Sequence, residues 1–200
     1  DRILAFIHGQ GRPAWLVGGY VRDRLLGRSS HDLDLVVPEG GIRLARELAR
    51  AFDGAWFALD DERDVGRAIL PGDEGVPVEV DIARLRVPDL VDDLALRDYT
   101  INAIAMDLST EGAEPRLFDP FDGQADLQRK LLRAVTEGAF RDDPLRMLRG
   151  VRMVAELGFR LEDATYNLVR RDAGLLPSVA GERVRDEMMR VLAAPGAWQH

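Results

Sequence analysis

Leu16-Val17-Gly18-Gly19-Tyr20-Val21-Arg22-Asp23 runs, a few residues on, into Asp32-Leu33-Asp34-Leu35-Val36-Val37, and the reading of these two segments decides the fold. The apolar run Ala14 to Val17 follows Pro13 and reads as a strand. Gly18-Gly19 breaks it, Tyr20 to Leu26 reads as a helix ended by Gly27, and Leu33 to Val37 reads as a second strand ended by Pro38. A strand that turns through two glycines into a helix start presents free backbone N–H groups, which suit a phosphate. Glycine lets an anion approach the backbone closely, and Arg22, one turn in, offers a forked cation. An ordinary strand–helix turn has the same glycines.

Asp32 and Asp34 add weight. Residues two apart on a strand share a face, so two carboxylates project together from an otherwise apolar strand. Their repulsion is relieved by a cation, and Mg²⁺ held by one or two carboxylates plus substrate phosphates fits. An exposed acidic strand start is the plain alternative. His31 beside them reads as a surface residue, since Mg²⁺ prefers oxygen. Val78-Glu79-Val80-Asp81-Ile82 offers a third carboxylate, with Glu79 and Asp81 on one face and inseparable by spacing.

Outward from this core, Arg2 to Gly9 and Gly41 to Phe52 have helical spacing; Ala55–Leu59, Gly66–Leu70 and Val76–Ile82 read as strands, the last two joined by a turn at Pro71-Gly72-Asp73-Glu74-Gly75. Beyond about residue 90 the pattern turns helical: Leu90–Arg97, Tyr99–Met106, Pro144–Leu157, Ala164–Arg171 and Glu182–Ala193, with a strand-like Leu131–Val135. The expectation is a small α/β domain followed by an all-α one, with a soft boundary in Leu108–Asp126.

The 200 residues carry a net charge of −8 and no cysteine, so disulfides and thiolate metal sites are excluded, and any metal must be held by oxygen or by His8, His31 or His200. No apolar run approaches the roughly 20 residues of a membrane span, and no signal-peptide pattern opens the chain. A cytoplasmic protein without membrane or protein partner is expected. The chain begins at Asp1 and not Met, which reads as a trimmed start. From Gln128 to His200, 13 Lys and Arg face 10 Asp and Glu, a mildly basic back behind an acidic front.

The run LVGGYVRDRLLGRSSHDLDLVV (16–37) resembles the nucleotidyltransferase core of bacterial-type (class II) CCA-adding enzymes and their poly(A) polymerase relatives, in the DNA polymerase beta superfamily. LRDYTINAIAMDL (96–108) is similar to the family's ribose motif, LFDPFDGQADLQRKLLRAV (117–135) to its connecting segment, FRDDPLRMLRGVRMVAELGF (140–159) to its base-reading helix, and GERVRDEMMRVL (181–192) to its neck helix. The matches run in order from about Trp15 to Leu192.

The resemblance implies a head with a five-stranded mixed sheet and helices over 1–110, then a helical neck that reads the base over 111–200, with the family's body and tail outside these residues. It gives the triphosphate to Gly18, Gly19 and Arg22, the metal (Mg²⁺) to Asp32 and Asp34, and the third catalytic acid to Glu79, with Arg84 ending that strand. Arg97, Asp98 and Asn102 would position ribose and triphosphate, and Asp143, Arg146, Arg149 and Arg152 would form the base-reading row. The implied reaction is attack of a tRNA 3′-hydroxyl on the α-phosphate of a nucleoside triphosphate, two metals sharing the charge. Cytosine and adenine both place an amino group beside a ring-nitrogen acceptor. Asp143 and Arg146, three apart on a helix, would answer that pattern, while Arg149 and Arg152 slip round the helix toward phosphate or neighbouring helices.

Three departures matter. Asp142 stands where the family usually has Glu, and Leu96 where the ribose motif has its first Arg. Only Leu85-Arg86-Val87-Pro88-Asp89 separate the Arg84 strand from the helix at Leu90, where CCA-adding relatives carry a longer flexible loop. A shortened loop goes with enzymes that add only two cytidines, so a CC-adding enzyme using CTP on the tRNA 3′ end is expected. The alternatives are full CCA addition, A addition or poly(A) synthesis with ATP. A non-catalytic nucleotide-binding module and a small-molecule transferase stand further off. This stretch alone is expected to bind nucleotide better than tRNA.

Overall fold

The computed structural model describes residues 2–30, 32–72, 75–109 and 116–194. His31, His200 and the Asp73-Glu74 part of the expected turn lie outside the described residues. The chain forms two compact units, one of residues 1–94 and 104–120, the other of 95–103 and 121–200. A single break at 110/111 differs from this division, because 95–103 belong with the second unit. Among the described residues no helix is long and apolar enough to cross a membrane.

In the first unit the elements run α1 (Arg2–Gly9), β1 (Trp15–Val17), α2 (Gly19–Leu25), β2 (Asp32–Val37), α3 (Gly41–Ala51), β3 (Ala55–Asp60), β4 (Val65–Leu70), β5 (Val78–Arg84), α4 (Leu90–Ala95), β6 (Ala105–Asp107) and β7 (Leu117–Phe118). The strands form one mixed sheet in the order β3-β4-β5-β2-β1-β6-β7, in which only β2 and β5 are parallel. Seven strands replace the five expected. The added strands are β6 and β7, and β6 comes from a stretch read as helix: Tyr99–Met106 instead makes a 3₁₀ turn at Thr100–Asn102 and then strand β6 along the free side of β1, with β7 pairing on its far side. Ile104, Ala105 and Met106 are buried on all sides, so their apolar run carries no period that separates strand from helix.

Alternation assigns the two faces. Ala68, Leu70, Val80 and Ile82 are buried, and α3 covers their face with Leu44, Ala45, Leu48 and Ala49. Each buried leucine contributes about 1.5–3 kcal/mol. The helix lies close: a Cβ on Gly66 would come within 2.8 Å of Ala45 Cβ and Ile42 Cα.

The start of α3 is held from a distance. Asp64, itself at φ 53°, accepts the backbone N–H groups of Gly40, Gly41 and Ile42 at 2.8, 3.1 and 2.9 Å. A carboxylate there satisfies donors a helix leaves open and meets the positive end of its dipole. Asp64→Ala should therefore cost about 2 kcal/mol in urea unfolding and lower Tm by roughly 5 °C. Asp64→Asn, which tolerates the left-handed backbone and keeps an acceptor, should lose less.

The second unit holds α5 (Gly123–Arg129), β8 (Leu131–Leu132), α6 (Ala139–Asp142), α7 (Leu145–Leu157), β9 (Arg160–Leu161), α8 (Asp163–Asp172) and α9 (Gly181–Ala193), with a 3₁₀ turn at Ala173–Ser178. β8 and β9 form a small parallel pair. Residues 98–100 join this unit by backbone pairing: Tyr99 bridges Ala134, Thr100 N–H donates to Arg133 O, and Val135 N–H to Asp98 O. Beneath them the buried Asp126 carboxylate accepts the Thr100 hydroxyl at 2.6 Å and the Arg133 guanidinium at 2.9 Å.

Candidate functional site

The first unit gathers its polar chemistry on the sheet face opposite α3. Parallel pairing sets Asp32 beside Glu79 and Asp34 beside Asp81, and antiparallel pairing sets Arg67 of β4 beside Asp81. Paired residues share a face, so four carboxylates and one arginine stand together on strands about 4.8 Å apart. Val17 of β1 pairs with Asp34, so the chain leaves the sheet through Gly18 and Gly19 at the end of β2 that carries Asp32. The glycine corner and the acid pair are thus neighbours. Gly18 has φ 71° and ψ −139°, which a side chain would not tolerate. A Cβ on Gly19 would meet the Arg22 guanidinium at 3.5 Å. The Arg22 fork closes on Asp23, both contacts at 2.9 Å.

Sequence reasoning passed over Arg67. Its Nε and Nη2 donate to the two oxygens of Asp81 at 2.6 and 2.8 Å, and its Nη1 reaches Glu79. These carboxylates, with Asp32 nearby, outweigh the cost of burial and hold the guanidinium protonated well above its usual range, the hydrogen bond to Asp81 contributing most. The signal was available in the hairpin register, which sets the one basic residue of the Val65–Leu70 strand opposite Asp81. Among the described residues no three carboxylates or histidines converge to hold an ion by themselves. Two carboxylates with substrate oxygens are the set Mg²⁺ commonly takes. Arg84, at the end of β5, is exposed and donates to Glu62 O at 3.4 Å.

The second unit brings together the ribose motif and part of the arginine row. Asp98 and Asn102 are buried, at 6% and 5% exposure, so they face inward. Asp98 Oδ1 accepts the Tyr99 N–H at 2.8 Å and the Asn102 amide at 3.0 Å, while Oδ2 lies 2.9 Å from Arg149 Nη2. Burial opposes the charge of Asp98, but Arg149, Asn102, the Tyr99 N–H and Arg146 together prevail and hold its carboxyl below the usual range. That stabilisation is complete above the ordinary carboxylate range and is lost only as pH falls through the lowered value. Arg149 is the more exposed partner, at 43%, so Asp98 presents it outward.

Arg146 turns to the backbone. Its guanidinium donates to Leu96 O at 2.7 Å, Ala139 O at 3.1 Å and Arg97 O at 3.3 Å, tying the half-buried Arg97 segment to α6 and α7. Asp143 corrects the side-by-side expectation. It precedes α7, with extended backbone (φ −149°, ψ 102°), and its carboxylate accepts the Leu145 N–H at 3.2 Å and Arg183 of α9 at 2.9 Å. Asp followed by Pro144 is a helix-start arrangement, so Asp143 caps the helix and does not ride on it beside Arg146. Arg152 braces α7 against α9 through Glu187 and bonds Glu156 at 2.8 Å. Asp142 ends α6 and is exposed.

A family model described as "Poly A polymerase head domain" matches residues 14–133, and one described as "Probable RNA and SrmB- binding site of polymerase A" matches 158–200. The chain belongs to the poly(A) polymerase head-domain family. It is 46% identical over 190 residues to a CC-adding tRNA nucleotidyltransferase of Geobacter sulfurreducens, covering 95% of this chain and 42% of that protein. It is also 46% identical over 189 residues to an A-adding tRNA nucleotidyltransferase of Deinococcus radiodurans, covering 92% and 41%. Among solved structures, a CCA-adding enzyme in complex with CTP superposes with TM-score 0.85 at 31% identity, over 98% of this chain and 49% of the other. A tRNA nucleotidyltransferase with a primer tRNA and an incoming ATP analog superposes with TM-score 0.81 at 32% identity, over 95% and 56%. The chain spans under half the length of the two relatives first described.

Proposed function

We propose that this chain is the catalytic part of a template-independent tRNA nucleotidyltransferase that transfers CMP from CTP to the tRNA 3′ end and stops after two cytidines. The observation that carries the reading is the Asp32–Asp34 pair beside the Gly18–Gly19 corner, on one sheet face. In the reaction the 3′-hydroxyl oxygen bonds to the α-phosphorus, the bond to the β-phosphate oxygen breaks, and pyrophosphate leaves. Asp32 and Asp34 would hold a divalent cation, Mg²⁺ by the oxygen donor set, which when bound acidifies the hydroxyl and offsets charge on the departing phosphates. Gly18 and Gly19 N–H groups and Arg22 would keep the triphosphate aligned, and Glu79 would serve as the third acid. Arg97, Asp98, Asn102, Asp143, Arg146, Arg149 and Arg152 are assigned to ribose and base on the strength of the resemblance. Arg149 is the row member best disposed to meet a ligand. Besides those assignments, Asp98 would hold Arg149 and Arg146 would hold the Arg97 segment in place.

The two-cytidine limit is supported by the short connection from β5 to α4, which is pinned. Leu85 N–H donates to Val37 O at 2.8 Å. Arg86 wraps Asp93, donating to its carboxylate through N–H at 2.8 Å and Nε at 3.1 Å, and to its carbonyl through Nη2 at 2.6 Å. Asp89 Oδ1 accepts from Val91 and Asp92 N–H at 2.8 and 3.2 Å. A stiff connector cannot swing to re-size a site from cytosine to adenine. The second reading, A addition or full CCA addition with ATP, is favoured by the A-adding relative.

Sequencing the ends of a tRNA lacking CCA, after incubation of the protein at its full natural length with CTP and ATP together, separates the two. Products ending in CC are expected. A terminal A would transfer the assignment to the second reading, and no extension with any triphosphate would remove both.

A further inference from the structure

We propose that Arg67 is a positioning residue for the reaction: clamped to Asp81, it fixes where the Glu79 carboxylate stands and lowers the negative field of the acid face. This rests on the reading above, in which Asp32 and Asp34 hold a divalent cation and Glu79 assists.

The unequal grip of Arg67 separates two acids that spacing left equivalent. Asp81 is bound by a two-point fork, Nε and Nη2 each to one oxygen, which fixes the guanidinium plane. Glu79 meets only Nη1. Asp81 is therefore the anchor, and Glu79 is the carboxylate that is aimed. Arg67 is about 30% exposed, Glu79 38% and Asp81 28%, so the group lies at the surface of the sheet face and not in the core. Without Arg67, Glu79 would stand beside Asp32 on the adjacent strand with nothing between their charges. It would turn away, or take up the cation as a further ligand. Either displaces it from the geometry the reaction uses, and misplacement of about 1 Å can cost on the order of 10²-fold.

The charge bookkeeping predicts opposite signs for two neighbouring substitutions. Arg67→Ala removes a positive charge from the face, so Mn²⁺ should bind at least about fivefold more tightly; Asp81→Asn removes a negative one, so Mn²⁺ should bind more weakly. Both unseat Glu79, so both should lower kcat, by about tenfold or more, with KM for CTP changed less than threefold. Arg67→Lys should recover part of kcat. Glu79→Gln/Arg67→Ala should be no slower than Glu79→Gln alone, since the two act through one group.

The protein at its full natural length would be titrated with Mn²⁺, bound ion being read by electron paramagnetic resonance, and assayed with CTP and tRNA. Circular dichroism would check the fold. If Arg67→Ala does not fold, Arg67→Lys and Asp81→Asn carry the test. Mn²⁺ affinities that move in the same direction for Arg67→Ala and Asp81→Asn, an unchanged kcat, or additive losses in the double variant would overturn the proposal. A wild-type protein that binds no Mn²⁺ in the presence of CTP would instead sink the reading of Asp32 and Asp34, which keeps the two failures distinct.

Discussion

Asp32→Asn should abolish measurable nucleotide addition, lowering kcat by about a thousandfold or more, while Tm stays within a few degrees of wild type. Charge stabilisation by a bound metal is worth several kcal/mol, and about 4 kcal/mol is a factor of a thousand. Asp32 is exposed at the start of β2, so the fold gains little from it. The neighbouring charges reinforce the separation: with Arg67 committed to Glu79 and Asp81, removing one further negative charge relieves repulsion on the face. Steady-state kinetics with CTP and tRNA, alongside thermal unfolding, reads both halves. Activity within tenfold of wild type would remove Asp32 from the chemistry.

Gly150→Ala should be the most destabilising small substitution in the second unit. A methyl group there would lie 2.1 Å from the Tyr99 hydroxyl oxygen and 2.9 Å from Cζ. Tyr99 cannot yield easily. It is fully buried, its ring lies 6.1 Å from that of Phe140, its backbone bridges Ala134, and its hydroxyl donates to Arg146 O at 2.8 Å. Overpacking costs about 1–3 kcal/mol and an unpaired buried hydroxyl about as much again, against roughly 1 kcal/mol regained from helix propensity. A net loss of about 3 kcal/mol in urea unfolding is expected. Tyr99→Phe removes the clashing oxygen, so the double variant should be more stable than Gly150→Ala alone. Additive losses would show that Tyr99 is not what Gly150 accommodates.

The strands and helices around the acid pair were legible because each carries its own period. Asp32 and Asp34 share a face by spacing alone, and the stripe Leu44, Ala45, Leu48, Ala49 marks α3. What stayed hidden depends on partners distant in sequence. Arg67 gains meaning only through the β4–β5 register, and β6 only through the open side of β1. Asp143 was misread for a nearer reason. The helix expected to start at Pro144 already left it outside, and the Asp-Pro pair is the cap that spacing arithmetic overlooked. The glycines split the same way: Gly18 is explained by its turn, whereas Gly150 is explained only by a tyrosine 51 positions earlier.

The polypeptide passes between its two units three times, after residues 94, 103 and 120. No single splice can therefore deliver either half whole. A fragment ending near residue 110 would carry Tyr99 with no helix to shield it, and the complementary fragment would fold around a ring-sized hole. A single crossover point therefore cannot exchange the unit bearing the carboxylate face while leaving the unit with the arginine-bearing helix intact.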